Sequence, residues 1–290
     1  MKGFAYHFDL REWVRSAGQW RRIVFSNPLM TLAALTVVLV VGMAVFGPWC
    51  CPHDPLATDI GMRLAPPSWH YPFGNDALGR CLLSRILVGA RASLGLGAAV
   101  VLLSLVMGVA VGLVAGYAGG LVDELLMRLA DIFFAFPEIV AAMAIAGLMG
   151  PGTVNLLLSL SVASWMRYAR VVRGITLSVR EREYVRAAWL SGVRPATILW
   201  RHVLPASMPS IIVLATIGLG KSVLAVSALG FLGFGVQPPD AEWGMLLMEG
   251  KDYILSSPHL SVFPGVAIMV TVLAFNILGD GFRNRWDSRT

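Results

Sequence analysis

One stretch of the sequence nearly matches a nucleotide-binding loop. Residues 215–222 read ATIGLGKS, one glycine short of the G-x-x-x-x-G-K-S loop whose backbone amides and lysine hold phosphates. Ala215 stands where the first glycine is needed, and the stretch lies inside an apolar run long enough to cross a membrane, with no strand before it. We therefore expect no ATP site in this chain.

Catalytic and metal-binding patterns are also missing from the sequence. The five histidines are scattered, and neither H-E-x-x-H nor G-x-S-x-G occurs. Cys50, Cys51 and Cys81 form no C-x-x-C pair and no cluster with histidine, so metal and redox roles are not favoured. Free thiols and a disulfide both remain open. The sequence predicts no enzyme activity, no metal and no cofactor bound by this chain.

Two charged residues lie within apolar stretches. Glu138 follows Pro137, and Lys221 is the single charge between residues 211 and 232. A charge at the bilayer centre costs about 2.5–3.5 kcal/mol on insertion scales, so each side chain needs water or a partner. We predict that both line a translocation path. The alternatives are a lysine paired with a carboxylate such as Glu138 or capped by carbonyls, and a Glu138 that reaches the membrane interface from a helix end.

The composition places these residues in a membrane. Hydrophobic residues make up 57% of the 290 residues, charged residues only 14%, and the mean hydropathy is +0.71. Because a helix needs roughly 20 apolar residues to cross the hydrocarbon core, the sequence predicts an all-α integral membrane protein with about six transmembrane helices. The predicted spans are residues 29–49, 92–122, two helices of a hairpin within 123–166 that breaks at 149–152, 207–232 and 260–279.

Positive charge predicts the orientation. Lys and Arg cluster in the N-terminal segment, between the fourth and fifth spans, and in the tail, and basic residues near helix ends are retained in the cytoplasm. Both termini are therefore expected on the cytoplasmic side of a bacterial inner membrane. The predicted organisation is a juxtamembrane segment 1–28, a six-helix domain 29–281 with external loops 50–91 and 234–259 and a cytoplasmic loop 177–205, and a tail 282–290. Residues 82–91 are predicted to form a separate interfacial helix.

The cytoplasmic loop contains small residues at a characteristic spacing. Ala187 and Ala188 are followed after three residues by Gly192, and His202 comes after nine more. Small side chains allow a short helix to seat closely in a groove of a partner, and Gly192 would end that helix. A basic connector without a partner is the alternative.

This spacing resembles the coupling loop of ABC importer permeases. Arg186 stands where that loop has an acidic residue, and His202 where it has an aliphatic one. By this resemblance, the residues that would couple the chain to an ATPase are Tyr184, Arg186, Ala187, Ala188, Gly192, His202, Leu204 and Pro205.

Other segments resemble the dipeptide, oligopeptide and nickel permease family, and within it the second permease of the pair. Cys81 stands where the family usually has Asp. The matching segments are YPFGNDALGR at 71–80, GARASL at 89–94, GGLVD at 119–123 with Arg128, Asp131 and Phe136-Pro137, GFLGFGVQPP at 230–239 with EWG at 242–244, and FNILGDGFR at 275–283.

The resemblance implies the permease subunit of an ATP-driven importer. Its partners would be a second homologous permease, two cytoplasmic subunits that bind ATP and Mg²⁺, and an external solute-binding protein. Di- and oligopeptides are the expected cargo, with nickel or a metal chelate as the alternative. An ion-coupled secondary transporter and a membrane-embedded enzyme are alternatives of other classes; the first would need an inverted repeat and several intramembrane carboxylates.

Overall fold

The computed structural model describes the backbone of residues 27–287 and the side chains of residues 27–283. This part of the chain is helical and contains no strand beyond one isolated bridge between Asn75 and Cys81. The predicted all-α class is confirmed. The helices are α1 (Pro28–Phe46), α2 (Leu82–Ala118), α3 (Gly120–Phe134), α4 (Glu138–Met149), α5 (Thr153–Arg180), α6 (Glu183–Leu190), α7 (Pro195–Ile198), α8 (Leu204–Phe231), α9 (Trp243–Gly250) and α10 (His259–Asp287).

Four helical segments of the described chain are long and apolar enough to cross a membrane on their own: Pro28–Trp49, Leu82–Ala118, Pro195–Phe231 and His259–Arg283. Helices α3 and α4 qualify only as a pair, bent by 87°. Helix α5 has 28 residues, about 42 Å at 1.5 Å per residue, and its arginines make it less apolar. Counting the bent pair as one and adding α5 gives the six predicted passages.

Helix α2 begins earlier than the sequence predicted. Residues 82–91 are its first turns, so the prediction of a separate interfacial helix is wrong, and the loop that was predicted to be external ends at Cys81. The helix can extend through this polar stretch because Arg85 is fully buried there and bonds to Asp76 and Glu249, both at 2.6 Å. The basic residues up to Arg180 likewise belong to α5, so the loop that was predicted to be cytoplasmic starts at residue 181 and not at 177.

Helices α2 and α5 approach each other closely along a line of glycines. Gly108, Gly112 and Gly116 lie one turn apart on α2 and face α5. A Cβ atom on Gly112 would lie 2.6 Å from the carbonyl oxygen of Ala169 and 2.8 Å from Cβ of Val172. Such small-residue lines let helix backbones come together in lipid, where van der Waals contact drives association.

The bent pair is joined to α5 by three ion pairs. Arg173 bonds to Asp123 at 2.6 Å, Arg170 pairs with Asp131, and Arg167 pairs with Glu138. Helix α4 has only 12 residues, about 18 Å, too short to cross alone, and it starts after Pro137 at the bend. Because the pairs follow α3 and α4 in antiparallel order along α5, they hold the bend in place.

A buried network fixes α9 over the N-terminal end of α2, the end predicted to face outward. Arg80 and Arg85 both bond to Asp76 and Glu249, so two cations and two carboxylates neutralise one another. We call these four residues the outer cap. The ring nitrogen of Trp243 also donates to the carbonyl of Ile86 at 3.0 Å, so α9 and α2 are held by several bonds at once.

Candidate functional site

The segment after α5 has the geometry expected of a docking element. Helix α6 contains the two consecutive alanines, and Gly192 follows it with a φ of 75°, in the left-handed region that glycine favours. The amide of Gly192 donates to the carbonyl of Trp189, and that of Val193 to Ala188. These bonds close the helix end. The chain then continues through α7 into a π-helical turn, Leu199–Val203, that leads into α8.

One face of α6 packs on the protein. Val185 is buried against Ile198 and Val203, and Tyr184 and Ala188 pack at the edge of the same cluster. His202 lies opposite Tyr184, with ring centroids 5.9 Å apart. Together these contacts fix α6 against the C-terminal end of α5 and the N-terminal end of α8.

The opposite face of α6 is open. Arg186 and Ala187 are exposed, Trp189 is 64% exposed and Leu190 is 78% exposed. We call these four residues the coupling surface. Two large apolar side chains beside a small one, fully presented on an eight-residue helix, are typical of a surface that a partner covers.

The predicted coupling residues divide between two roles. Tyr184, Ala188, His202 and Leu204 are partly buried and pack within the segment, whereas the exposed ones are Arg186, Ala187, Gly192 and Pro205. No carboxylate stands at position 186, but Glu181 pairs with Arg186, and the hydrogen bond and charge of that guanidinium lower the pKa of Glu181.

Three exposed residues of this segment were missed by the sequence reasoning. Trp189, Leu190 and Trp200, the last 70% exposed, were not predicted as docking residues, because that prediction depended on the spacing of the small residues Ala187, Ala188 and Gly192. A signal was available, since large apolar side chains in a loop expected to face water need a partner or a membrane surface to cover them.

The two predicted path residues differ in their surroundings. Glu138 accepts a hydrogen bond from Ser164 at 2.6 Å and pairs with Arg167. Lys221 lies on α8, is exposed, and has no ion pair or hydrogen bond within the described residues. The alternative in which Lys221 pairs with Glu138 is therefore wrong.

An apolar groove lies beside Lys221. It has a volume of about 550 Å³ and is formed by one face of α8, which carries Leu224, Ala228 and Phe231, together with α10 and Leu247 of α9. Lys221 is not part of the groove lining, but Leu224 follows it by one helical turn, so the cation lies next to the N-terminal end of the α8 wall of the groove.

The family follows from comparison with known proteins. Residues 108–290 match the model described as "Binding-protein-dependent transport system inner membrane component", and residues 17–67 match "N-terminal TM domain of oligopeptide transport permease C". The chain belongs to this permease family. It is thus an inner-membrane, multi-pass component of a binding-protein-dependent ABC transport system, as the motifs predicted.

Curated relatives resemble this permease over nearly its whole length. The glutathione transport system permease protein GsiD of Pectobacterium atrosepticum is 40% identical over 272 residues, 93% of this chain and 90% of the relative. GsiD of Escherichia coli O157:H7 is 41% identical, covering 93% and 89%. The probable D,D-dipeptide transport system permease protein DdpC of Escherichia coli K12 is 38% identical, covering 91% and 88%. These relatives are permease components and not enzymes, so the secondary-transporter and enzyme alternatives no longer apply.

Proposed function

We propose that this permease carries short peptides, including small thiol peptides and dipeptides, across the inner membrane. The relatives named for glutathione and D,D-dipeptide transport support this cargo class, since they match the chain almost from end to end. Nickel or a metal chelate was the alternative cargo from sequence. None of the relatives described above is named for a metal.

The surroundings of Lys221 favour a peptide over a bare metal ion. The unpaired ammonium of Lys221 can bind a peptide carboxylate while apolar side chains of the peptide contact the groove on α8. The same ammonium repels a free divalent cation. Glu138 carries no uncompensated charge because Arg167 neutralises it. In this proposal Lys221 lines the path, and Glu138 stabilises the bend of the α3–α4 pair beside it.

The energy for transport is proposed to enter through the coupling surface. Two ATP-binding subunits would sit below the membrane, one of them receiving α6, while a second permease completes the path and an external solute-binding protein delivers cargo. The observation that carries this proposal is the exposure of Trp189 and Leu190 on a helix whose other face is firmly packed. Both termini are proposed to lie in the cytoplasm.

A pair of matched serine variants tests the docking role. Trp189→Ser with Leu190→Ser removes the apolar contact without touching the packed face of α6, and we expect at least a ten-fold loss of co-purifying ATPase and of cargo uptake. The control is Trp69→Ser, a tryptophan on the loop between α1 and α2 that is more exposed than Trp189. If the α6 variant keeps wild-type ATPase binding and uptake, the docking role is refuted.

Glycine variants test the helix end separately. Asparagine tolerates a positive φ, whereas valine does not. A Cβ atom added at Gly192 would meet no other atom within 4 Å, so neither variant clashes there through its Cβ atom. We expect the transporter with Gly192→Asn to keep transport coupled to ATP hydrolysis. With Gly192→Val, the partner subunits should still hydrolyse ATP, but little cargo should be transported. Equal behaviour of the two variants would show that the backbone turn is irrelevant to coupling.

Cargo is tested in cells that lack their own peptide and glutathione importers. The complete system, with its binding protein and ATPases, is expressed, and uptake of labelled glutathione, a dipeptide and ⁶³Ni²⁺ is compared. We expect peptide uptake that requires both this permease and ATP. Uptake of ⁶³Ni²⁺ without peptide uptake would overturn the cargo proposal and favour the metal alternative.

A further inference from the structure

Two histidines of the loop between α1 and α2 lie edge to face, and their Nε2 atoms are within hydrogen-bond distance of each other. Nε2 of His53 and Nε2 of His70 lie 3.4 Å apart, although the residues are 17 positions apart in sequence. His70 is exposed and His53 is half-buried, so the space at the two nitrogens is reachable from outside. Nothing in the transport mechanism uses this pair.

Both imidazoles are held in place by their surroundings. The ring of Tyr71 stacks on His53, with centroids 4.5 Å apart, and meets His70 edge-on at 5.1 Å. The backbone amide of His53 donates to Oγ of Ser84 at 3.2 Å, which ties it to the start of α2. Ser68 and Tyr71 exchange two hydrogen bonds, which close the turn that carries His70. The nitrogen pair is therefore fixed before any ligand arrives.

The separation of the nitrogens matches one edge of a tetrahedral zinc site. Two ligands about 2.0–2.1 Å from a tetrahedral Zn²⁺ lie about 3.3–3.4 Å apart. Neighbouring ligands of an octahedral ion with similar bonds lie about 2.9 Å apart, which would require the rings to move. We propose that His53 and His70 bind one Zn²⁺ ion outside the membrane. This accessory site is separate from the cargo path and does not depend on which solute the permease carries.

The remaining coordination positions would be open. The described residues contain no group of three or more His, Cys, Asp or Glu side chains arranged for a metal, so water or an external ligand completes the site. Zinc would replace the hydrogen bond between the two Nε2 atoms. A metal-bound imidazole keeps its proton on Nδ1, and Nδ1 of His53 is buried without a hydrogen-bond partner, so that proton would be an unsatisfied donor. Because His53 also lacks the acceptor that strengthens many zinc histidines, we expect reversible rather than permanent binding.

Zinc would connect two parts of the external loop. His53 lies just after the first span and His70 just before the segment of the outer cap. Because the ion binds the folded loop and bridges distant residues, it should raise the stability of the folded permease, and the stabilisation should grow with the logarithm of the zinc concentration once that exceeds Kd. Protons compete with the metal for imidazole, so binding should weaken in acid.

The test is a zinc titration of the permease purified in detergent with a tag that contains no histidine. We expect one saturable site, at least ten-fold weaker binding in His70→Gln, and none in the double variant with His53→Gln. His202→Gln, on the opposite side of the membrane, should bind like the wild type. Zn²⁺ should raise the unfolding temperature of the wild type and of His202→Gln only.

Cobalt reports the geometry independently. Co²⁺ in a tetrahedral site absorbs visible light much more strongly than in an octahedral one, so titration should produce that band and His70→Gln should remove it. Absence of saturable zinc binding, or binding that is unchanged in His70→Gln, would overturn the proposal. His70 is exposed, so this variant is expected to fold and the result is interpretable.

Discussion

Lys221 is a single side chain that bears on which cargo the permease can carry. It is the charged residue on α8 between residues 204 and 231, exposed, and without a partner among the described residues. Its neighbours on the same face are apolar, so it has no protein group to satisfy it. A charge in that position is expected to face water or solute.

Replacing Lys221 should selectively reduce the uptake of cargo that carries a carboxylate. In Lys221→Met, uptake of a peptide with a free C-terminal carboxylate should fall about ten-fold, which corresponds to one charge-assisted hydrogen bond of about 1.5 kcal/mol. Uptake of the same peptide with an amidated C-terminus should change little. Lys251→Met, an exposed lysine outside the spans, is the control. If Lys221→Met takes up each of the two peptides as fast as the wild type does, Lys221 does not line the path.

The contact of α2 with α5 gives a prediction at the scale of elements. Gly112→Ala places a methyl group against the backbone of α5, 2.6 Å from the carbonyl oxygen of Ala169, so a helix must shift. We expect a loss of stability of about 1–3 kcal/mol, measured as a lower unfolding temperature in detergent. Gly95→Ala on the same helix meets nothing within 4 Å and should be neutral or slightly stabilising. Similar unfolding temperatures for the two variants would contradict this packing.

The outer cap gives a pH dependence. Burial raises the pKa of Asp76, but the hydrogen bond from the backbone of Arg80 and the charges of Arg85 and Arg80 outweigh burial and lower it. Because the pKa of Asp76 is lower in the folded state than its ordinary value, ionised Asp76 stabilises the fold fully above about pH 3.9. This stabilisation is lost as the pH falls from about 3.9 through the lower pKa of the folded state.

Thermal unfolding between pH 7 and about pH 2 measures that loss, because the window runs from about pH 3.9 down to the lower pKa of the folded state. The unfolding temperature of the wild type should fall steeply at the acidic end, whereas Asp76→Asn should start lower and depend less on pH. Asp54→Asn, an exposed aspartate of the same loop, should follow the wild type. Identical pH profiles for wild type and Asp76→Asn would show that the cap does not depend on this charge.

The spans were predictable because apolar runs of sufficient length leave the backbone few alternatives to a helix. The ion-pair partners of charged residues in the helices could not be predicted in the same way. Arg167, Arg170 and Arg173 were interpreted as an orientation signal, yet in the structure they neutralise the carboxylates of the α3–α4 pair. Hydropathy reports how apolar a stretch is, whereas an ion pair between residues 50 apart depends on which helices meet. The 87° bend before Glu138 was missed for the same reason, although Pro137 was visible.

For the candidate site, the sequence located the segment better than the residues. The spacing of Ala187, Ala188 and Gly192 predicted a short helix and its end, and both are present. The sequence could not show which face of α6 packs inward, because Val185 and Tyr184 are apolar in the same way as Trp189 and Leu190. That distinction depends on α7 and α8, which cover one side only.

At the scale of the whole molecule, the open prediction is orientation, and Cys50 is its reporter. Cys50 is exposed, Cys51 is half-buried with a pKa raised by burial, and Cys81 is buried. A membrane-impermeant maleimide applied outside the inner membrane should therefore label Cys50 in the wild type and leave Cys50→Ser largely unlabelled.

A second reporter on the coupling surface gives the opposite expectation. Leu190→Cys in the Cys50→Ser background should be labelled only after the inner membrane is opened. If Leu190→Cys is labelled from outside while Cys50 is protected, both termini lie on the other side from the one proposed.

The ion pairs between α5 and the bent pair also bear on how the protein is made. Glu138 is synthesised 29 residues before Arg167, and Asp123 is synthesised 50 residues before Arg173. At roughly 5–20 residues per second, the carboxylates wait seconds for their cations. During that interval α4 is short and carries an uncompensated charge, so stable insertion has to be postponed until α5 emerges. The two passages should therefore leave the insertion machinery together, as one hairpin.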